Sequence, residues 1–275
     1  MKRMTSTDSR GFTLLEILIA LAVFSIIMAV VVKFFLSQQS SFTRVDQRSR
    51  MMTNARGAMY LIESQIRLMG FSPRQDMDNE SAMDFDQGCR AGIGHLVFRR
   101  QKTDDLGAVQ TVSIGLYKAD DDAGGARDGF ADANAGATGL IIQYGRVADN
   151  VEAIGLAYAF NADGAGGLDL SAGDHIIWAV DADADGYLET ALDTNDDGRI
   201  DANDTPGGVA LAEKVPLDTI RAVKVWLLVR SACPLRGGRT DTRTFYVAGR
   251  PCKPDDHYSH ILCTTTIRCR NMGLI

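Results

Sequence analysis

The chain has 275 residues, of which 45% are hydrophobic and 23% charged, and a formal net charge of −6. This composition excludes an intrinsically disordered protein and fits one large domain or two small ones behind an anchor. The acidic segment 181–204 contributes eight Asp and one Glu against one Arg, so the rest of the chain is slightly basic. Those basic residues form no stripe interleaved with aromatics, which predicts that nucleic acid is not a partner.

The first feature along the chain is an apolar run over residues 12–36. It is interrupted only by four polar residues, namely Thr13, Glu16, Ser25 and Lys33. Roughly 20 apolar residues cross a bilayer as a helix, so the run predicts a transmembrane helix over 12–36. Lys2, Arg3 and Arg10 precede it, and this positive flank predicts an N-terminus in the cytoplasm and an exported C-terminal part.

The start of that run, "RGFTLLE" at residues 10–16, resembles the N-terminal signature of type IV prepilins and of the related type II secretion pseudopilins. Gly11, the aromatic Phe12 and the acidic Glu16 carry the resemblance. It implies that a prepilin peptidase cuts between Gly11 and Phe12 and methylates the new amine of Phe12. Residues 1–11 would then be a leader peptide, and Glu16 would be the fifth residue of the mature chain.

Glu16 needs a partner if it lies in hydrocarbon. An ionised carboxylate at a helix centre costs about 2.5–3.5 kcal/mol on insertion scales, and less near a helix end. The free amine of Phe12 on a neighbouring subunit would be a cation in the same layer, and pairing it with Glu16 would set the stagger between subunits. We therefore predict that Glu16 acts in subunit assembly. The alternative is a glutamate at the membrane interface that reaches lipid headgroups.

Helical periodicity continues beyond the membrane segment. Apolar residues recur at steps of three, four or seven, at Phe42, Val45, Met52, Ala55, Met59, Ile62, Ile66 and Met69. The pattern predicts an amphipathic continuation of the helix over 37–70, ended by Gly70 and Pro73. One helix would thus run from Phe12 to about Met69.

The remainder, 71–275, reads as a globular β-rich domain of short runs separated by Gly, Asp and Asn. The predicted strands are 95–100, 111–118, 140–147, 153–160, 175–180, 223–229, 244–247 and 259–267. Short connections favour antiparallel pairing. The predicted class is α+β, a long N-terminal helix packed on an antiparallel sheet, similar to type IV pilins.

The segment 181–204 contains two twelve-residue units that resemble EF-hand loops. The more complete second unit offers Asp193, Asn195, Asp197, the backbone carbonyl of Arg199, Asp201 and Asp204. The first offers Asp181, Asp183 and Asp185 and is weaker, because its twelfth position is Leu192. Oxygen donors at this spacing predict structural Ca²⁺ in an EF-like loop of the dockerin or thrombospondin type 3 kind. The alternative is a solvated acidic turn.

The cysteines and histidines lack the spacing of known catalytic or zinc motifs. If the domain is exported, the five cysteines predict two disulfides and one spare thiol with open pairing, among Cys89, Cys233, Cys252, Cys263 and Cys269. A metal site at His257 and His260 is less favoured than surface histidines on a turn. No nucleophile, base and orienting acid come together in the sequence, which predicts that the protein is not an enzyme.

The length, the strand "AVKVWLLVRS" at 222–231, the acidic loop and the late cysteines resemble the PilW family of type IV pilus assembly proteins. The resemblance implies a minor pilin that joins other minor pilins and the major pilin in an initiating complex at the pilus tip. It would reside in the bacterial inner membrane with its C-terminal domain in the periplasm, and later at the cell surface. The alternatives are a type II secretion pseudopilin and a membrane-tethered adhesin or enzyme.

Overall fold

The structure is a computed structural model that describes residues 13–72, 77–102, 108–117, 128–131, 138–143, 145–164, 166–235 and 238–273. The chain divides into two compact units, one ending at Asp46 and the other beginning at Gln47. The predicted leader, residues 1–11, and Phe12 lie outside the described residues.

Helix α1, Leu14–Ile66, contains 53 residues and confirms the predicted long N-terminal helix. In the first unit its apolar side chains are exposed, among them Leu14, Phe24 and Phe35. Among the described residues, α1 is the one helix with an apolar stretch long enough to cross a membrane. An apolar surface exposed on all sides of a helix requires lipid or other helices around it.

In the second unit, α1 buries one stripe of side chains at helical spacing: Met51, Ala55, Ala58, Ile62 and Ile66. The prediction of an amphipathic stripe is confirmed for Ala55, Ile62 and Ile66, whereas Met69 is buried in the turn that follows, because the helix ends at Ile66 and not at residue 70. The predicted stripe is not buried at Phe42 and Val45, which belong to the first unit and are 70% and 69% exposed. Met52 and Met59 are half-buried, since the buried face is centred on their neighbours Met51 and Ala58.

The strands that the structure describes form three antiparallel sheets. The first sheet has five strands in chain order: β1 Arg90–Ala91, β2 Leu96–Gln101, β3 Val109–Tyr117, β4 Gly139–Ile142 and β5 Gly145–Asp149. The second has six strands: β6 Val151–Phe160, β7 Ala179–Val180, β8 Tyr187–Ala191, β9 Val209–Pro216, β10 Ile220–Arg230 and β13 His260–Arg268. Its spatial order is β13-β10-β6-β7-β8-β9. A two-stranded ribbon pairs β11 Phe245–Val247 with β12 Arg250–Cys252. Within the described ranges, the other helices are α2 Asn79–Ala82 and two 3-10 turns, Leu217–Thr219 and Arg270–Met272. The α+β class is confirmed.

The predicted strands differ from the observed ones in several places. Residues 140–147 form two strands, β4 and β5, because a turn with Gln143 in the left-handed region (φ 58°) separates them. Only Ala179 and Val180 of the predicted strand 175–180 are in a strand. The short strands β1 and β12 lie outside the predicted set, as do β8, which lies inside the acidic segment, and β9, a largely exposed edge strand.

The core is centred on β6 and β10, which pair along most of their length. Both strands are buried on both faces, since nine of the ten residues of β6 and eight of the eleven residues of β10 are buried. The fully buried Tyr158 donates from its hydroxyl to the carbonyl of Gly92, 3.0 Å away, and so links β6 to the turn after β1. On α1, the Asn54 side chain donates to the carbonyl of Asp149 at 2.6 Å.

Gly155 allows the ribbon β11–β12 to approach β6. A Cβ at this position would lie 2.7 Å from Cγ1 of Val247 and 3.2 Å from the backbone nitrogen of Ala248. We expect Gly155→Ala to lower the free energy of unfolding by about 1–3 kcal/mol, because overpacking shifts the ribbon. Denaturant unfolding of the purified chain would measure it.

The matched control is Gly57→Ala in α1. A Cβ at Gly57 meets no atom within 4 Å, so alanine is expected to raise stability by about 0.5–1 kcal/mol through its higher helix propensity. Equal effects of the two substitutions would contradict the packing role of Gly155.

Candidate functional site

The N-terminus of α1 is closed by a reciprocal hydrogen-bonded cap between Thr13 and Glu16. The Glu16 backbone N–H donates to the Thr13 hydroxyl at 3.3 Å, and the Thr13 N–H donates to Oε2 of Glu16 at 2.9 Å. The Thr13 hydroxyl also donates to Oε2 of Glu16, at 3.0 Å. This is a capping box, which satisfies backbone groups that the first helical turn leaves unpaired. The spacing Thr-x-x-Glu before an apolar run signals such a cap, and the sequence analysis did not use it.

The structure does not describe the predicted cleavage site. Gly11 and Phe12 lie outside the described residues, so the cleavage and methylation assignments remain predictions. Of the three residues that carry the prepilin resemblance, the structure describes Glu16 alone.

The first acidic loop brings four carboxylates together. Oxygens of Asp181, Asp183, Asp185 and Glu189 lie within 4.8 Å of one another. Asp181 also accepts hydrogen bonds from the backbone N–H groups of Asp185 and Gly186, at 3.2 and 3.1 Å. Glu189 was missed in the sequence analysis, although it occupies position nine of the loop, an EF-hand ligand position.

In the first acidic loop, four carboxylates lie close together, and burial opposes the ionisation of two of them. Burial raises the pKa of Asp181, and burial together with the neighbouring carboxylates raises the pKa of Glu189. Oε2 of Glu189 is buried and has no hydrogen-bond partner among the described residues. Lys214 on β9 supplies one cation, with its Nζ 3.2 Å from Asp183 and also bonded to Asp185. One ammonium group does not balance four carboxylates.

The second acidic loop repeats the hydrogen bonds of the first. Asp193 accepts from the backbone N–H groups of Asp197 and Gly198, at 3.2 and 2.8 Å. Asp197 in turn accepts from the Arg199 N–H at 2.9 Å, and Asn195 accepts from the Asp197 N–H at 3.2 Å. The predicted ligands at positions one, three and five therefore line the same turn.

Asp204, at position twelve, closes the second loop. It is 6% exposed and accepts from the backbone N–H of Thr194 at 2.7 Å and of Asp201 at 2.8 Å. All residues of this loop are described, and no three of its carboxylates gather as closely as those of the first loop. The sequence ranked the second loop above the first, whereas the closer carboxylate group lies in the first.

The two loops share an unusual backbone. Position four is left-handed in both, at Ala184 (φ 60°) and Asp196 (φ 55°), and position six is a left-handed glycine, Gly186 (φ 95°) and Gly198 (φ 80°). Non-glycine residues seldom adopt this region without a local reason. The twelve-residue repeat in the sequence is therefore also a repeat in conformation.

Asp196 ties the second loop to the turn before it. Its carboxylate accepts from the Ser171 hydroxyl and, at 2.8 Å, from the Gly173 N–H, and it lies 3.2 Å from Nδ1 of His175. Serine bonds the aspartate here instead of the histidine, so the three side chains do not form a hydrolytic triad. Their role is to hold the loop.

The raised pKa values of Asp181 and Glu189 predict a dependence of stability on pH. A carboxyl whose folded pKa is raised favours the folded state at low pH, and this contribution is lost as pH rises through the folded pKa. Because unfolded carboxyls ionise from about pH 4, we expect these two groups to destabilise the calcium-free fold more at about pH 7 than at about pH 4. Melting with EDTA and with Ca²⁺ at both pH values would test this, and the gap between the two melting temperatures should widen toward pH 7.

All five cysteines are free thiols, so the structure does not form the two predicted disulfides. Cys263 and Cys269 are separated by six residues of nearly continuous strand, about 20 Å, which is beyond disulfide reach. Burial raises the pKa of Cys89 and of Cys252 to about 11. These two thiols are protonated at neutral pH and weak nucleophiles.

The histidines do not form the pair considered from the sequence. The exposed His257 faces the carbonyl of Arg239 at 3.2 Å, whereas His260 is buried among carboxylates. Burial lowers the pKa of His260, but the charges and hydrogen bonds of Glu152 and its acidic neighbours outweigh burial and raise it. Sequence analysis did not find this acidic surrounding, since Glu152 lies 108 residues away.

Comparison with known proteins bears on the N-terminal segment. Residues 7–32 match the family described as the prokaryotic N-terminal methylation motif. The chain carries that motif. This confirms the prepilin-type signature read from residues 10–16, and it agrees with the exposed apolar surface of α1.

A comparison with solved structures covers most of the chain. A type IV-like pilin from Thermus thermophilus is similar in structure, at 14% sequence identity and a TM-score of 0.35, over 83% of this chain and 97% of that one. No curated protein matches the chain.

Proposed function

We propose that this chain is a minor pilin of a type IV pilus, of the PilW kind, that takes part in initiating pilus assembly at the tip. The observation that carries the proposal is the N-terminal methylation motif at residues 7–32, which continues into the exposed apolar part of α1. In this role the protein binds other subunits and catalyses no reaction. Its partners would be a prepilin peptidase, the other minor pilins and the major pilin.

Processing and location follow from the same segment. The peptidase would cut between Gly11 and Phe12, and α1 would hold the mature chain in the inner membrane. The cations that precede the apolar run support a cytoplasmic N-terminus. The β-rich domain would then lie in the periplasm until the subunit enters the pilus.

Glu16 would have two successive partners. In the single chain its carboxylate accepts from Thr13 and caps α1. In an assembled filament the methylated amine of Phe12 on a neighbouring subunit would bring a full positive charge to the same carboxylate. Pairing the two charges in an apolar layer would fix the axial position of one subunit against the next.

We also propose that the segment 181–204 binds Ca²⁺. The first loop would use Asp181, Asp183, Asp185 and Glu189, and the second would use Asp193, Asn195, Asp197, Asp201, Asp204 and the carbonyl of Arg199. Three observations support this: the four gathered carboxylates, the buried oxygen of Glu189 without a partner among the described residues, and the repeated loop backbone. A bound dication would supply the positive charge that Lys214 alone does not.

N-terminal sequencing with mass spectrometry of the membrane-extracted protein tests the minor-pilin proposal. We expect a mature chain that begins with N-methylated Phe12. Recovery of intact Met1 from cells that process other prepilins would contradict the proposal.

Cleavage alone does not separate a pilus from a type II secretion system, because both use the same signature. Affinity purification from crosslinked cells should recover pilus subunits; recovery of a secretion platform would favour the pseudopilin alternative. A screen of the purified chain for hydrolysis or surface binding addresses the tethered enzyme or adhesin.

A further inference from the structure

A partly buried group of charged side chains lies at one end of the six-stranded sheet, away from both acidic loops. Glu152 is near the start of β6, Arg230 ends β10, and His260 begins β13. Because β10 lies between β6 and β13, the side chains of Glu152 and His260 meet across the central strand. Asp256 joins them from the segment before β13.

The ligand-type atoms of Glu152, Asp256 and His260 all lie within 4.8 Å of one another. Nε2 of His260 is 2.8 Å from Oε2 of Glu152 and 3.8 Å from Oδ2 of Asp256. Tetrahedral ligands bound at about 2.0–2.1 Å lie roughly 3.4 Å from one another. The two observed distances bracket that value, so small side-chain shifts would place all three atoms on one ion.

A second set of side chains orients these three. On its other ring nitrogen, Nδ1, His260 faces Oδ2 of Asp241 at 3.3 Å. Arg243 clamps Asp241 with two hydrogen bonds of 2.8 and 2.7 Å, and Arg230 donates to Oε1 of Glu152 at 3.0 Å. A carboxylate on the far nitrogen of a histidine is the usual support of a metal-bound imidazole, because it directs the lone pair of the near nitrogen at the metal.

The net charge of the group favours a bound cation. Three carboxylates, from Glu152, Asp241 and Asp256, face two guanidinium groups, from Arg230 and Arg243. With His260 neutral the group therefore carries a net negative charge. Either a proton on Nε2 or a metal ion at that place neutralises it. Imidazole with two carboxylates suits zinc and related transition metals, whereas calcium and magnesium prefer oxygen ligands alone.

We propose that Glu152, Asp256 and His260 form a binding site for a transition-metal dication of the Zn²⁺ class. The ion would join β6, β13 and the segment between the ribbon and β13, with its fourth tetrahedral position left to water. An ion can reach it from solvent, since the side chain of Asp256 is 30% exposed. On binding, the ion takes the lone pair of Nε2, and any proton held there leaves to solvent.

Cobalt is the probe for this site, because tetrahedral Co²⁺ with nitrogen and oxygen ligands absorbs visible light. The full-length chain in detergent, with Ca²⁺ in excess to saturate the acidic loops, is titrated with Co²⁺ near neutral pH. We expect visible absorption that saturates at one Co²⁺ per chain and disappears when Zn²⁺ displaces it.

Two variants test which residues bind the ion. Asp256→Asn changes the most exposed ligand and is expected to weaken Co²⁺ binding at least about tenfold, with an unchanged circular dichroism spectrum. His257→Gln alters the neighbouring exposed histidine, which lies outside the site, and is expected to bind as the unaltered chain does.

Three results would overturn the proposal. They are no saturable Co²⁺ absorption, Asp256→Asn binding as tightly as the unaltered chain, and loss of binding in His257→Gln. If Nε2 of His260 binds only a proton, no metal binds, and the free energy of unfolding instead falls as pH rises through the raised pKa of His260. The result is independent of whether the chain enters a pilus.

Discussion

Replacing Glu16 by glutamine is expected to abolish incorporation of the chain into pili while leaving it inserted in the membrane. Glutamine keeps an oxygen that accepts from the Thr13 N–H, so the cap of α1 survives. It removes the negative charge, so the proposed partner, the Phe12 amine of a neighbouring subunit, would stay unpaired in an apolar layer. With a cost of about 2.5 kcal/mol for such a charge, incorporation should drop on the order of a hundredfold. Quantitative immunoblotting of sheared pili and of membranes would measure it.

Two companion variants separate charge from capping. Thr13→Ala removes the cap and keeps the charge, at a cost of about 1 kcal/mol to the helix end. Glu16→Ala removes both. We expect Thr13→Ala to be incorporated and both Glu16 variants to fail. If Glu16→Gln enters pili normally and Glu16→Ala does not, the carboxylate acts as a helix cap and the proposed pairing is wrong.

Calcium is expected to raise the melting temperature of the chain by roughly 5–10 °C at a concentration about a hundred times its dissociation constant. Binding at that excess adds about 2.7 kcal/mol, and each kcal/mol shifts the midpoint by about 2–4 °C for a domain of this size. The physical reason is the relief of repulsion among the carboxylates at 181–204, above all at the buried Asp181 and the half-buried Glu189. Calorimetric melts with Ca²⁺ and with EDTA would show it.

Matched substitutions at position five of each loop locate the effect. Asp185→Asn alters the first loop and Asp197→Asn the second, with the same change of charge. We expect Asp185→Asn to remove the larger part of the calcium shift, because the first loop gathers four carboxylates. Glu213→Gln, an exposed carboxylate on β9 outside both loops, is the control and should keep the full shift. A chain whose melting is the same in calcium and in EDTA would contradict the calcium proposal.

Much of the first unit was predictable from the sequence because its signals are local. The motif at 10–16 and the apolar run at 12–36 consist of consecutive residues, and α1 begins at Leu14, two residues after the predicted start. The stripe on the second part of α1 was predicted with some errors. Periodicity identifies a helix well, but which neighbouring residues face inward depends on the sheets that cover it.

The acidic segment was predicted in part for the same reason. Its twelve-residue repeat and the glycines at position six are visible in the chain, and both loops adopt the expected turn. The contribution of Glu189 was not predicted, because its side chain reaches back from β8 to Asp181. The strands β8 and β9 were missed as well. Many residues of these two strands are exposed or charged, so their composition does not indicate a strand. Pairing with the neighbouring strands places them in the sheet.

By itself, therefore, the sequence determined the long apolar helix, the methylation motif and the two acidic turns, since each depends on residues close together in the chain. Tertiary structure decided which carboxylates gather in the first loop, how the strands divide among three sheets, and where His260 lies. Glu152 and His260 meet because β10 brings β6 and β13 to its two sides. That strand order is set by the burial of the whole core, and no local pattern in the chain encodes it.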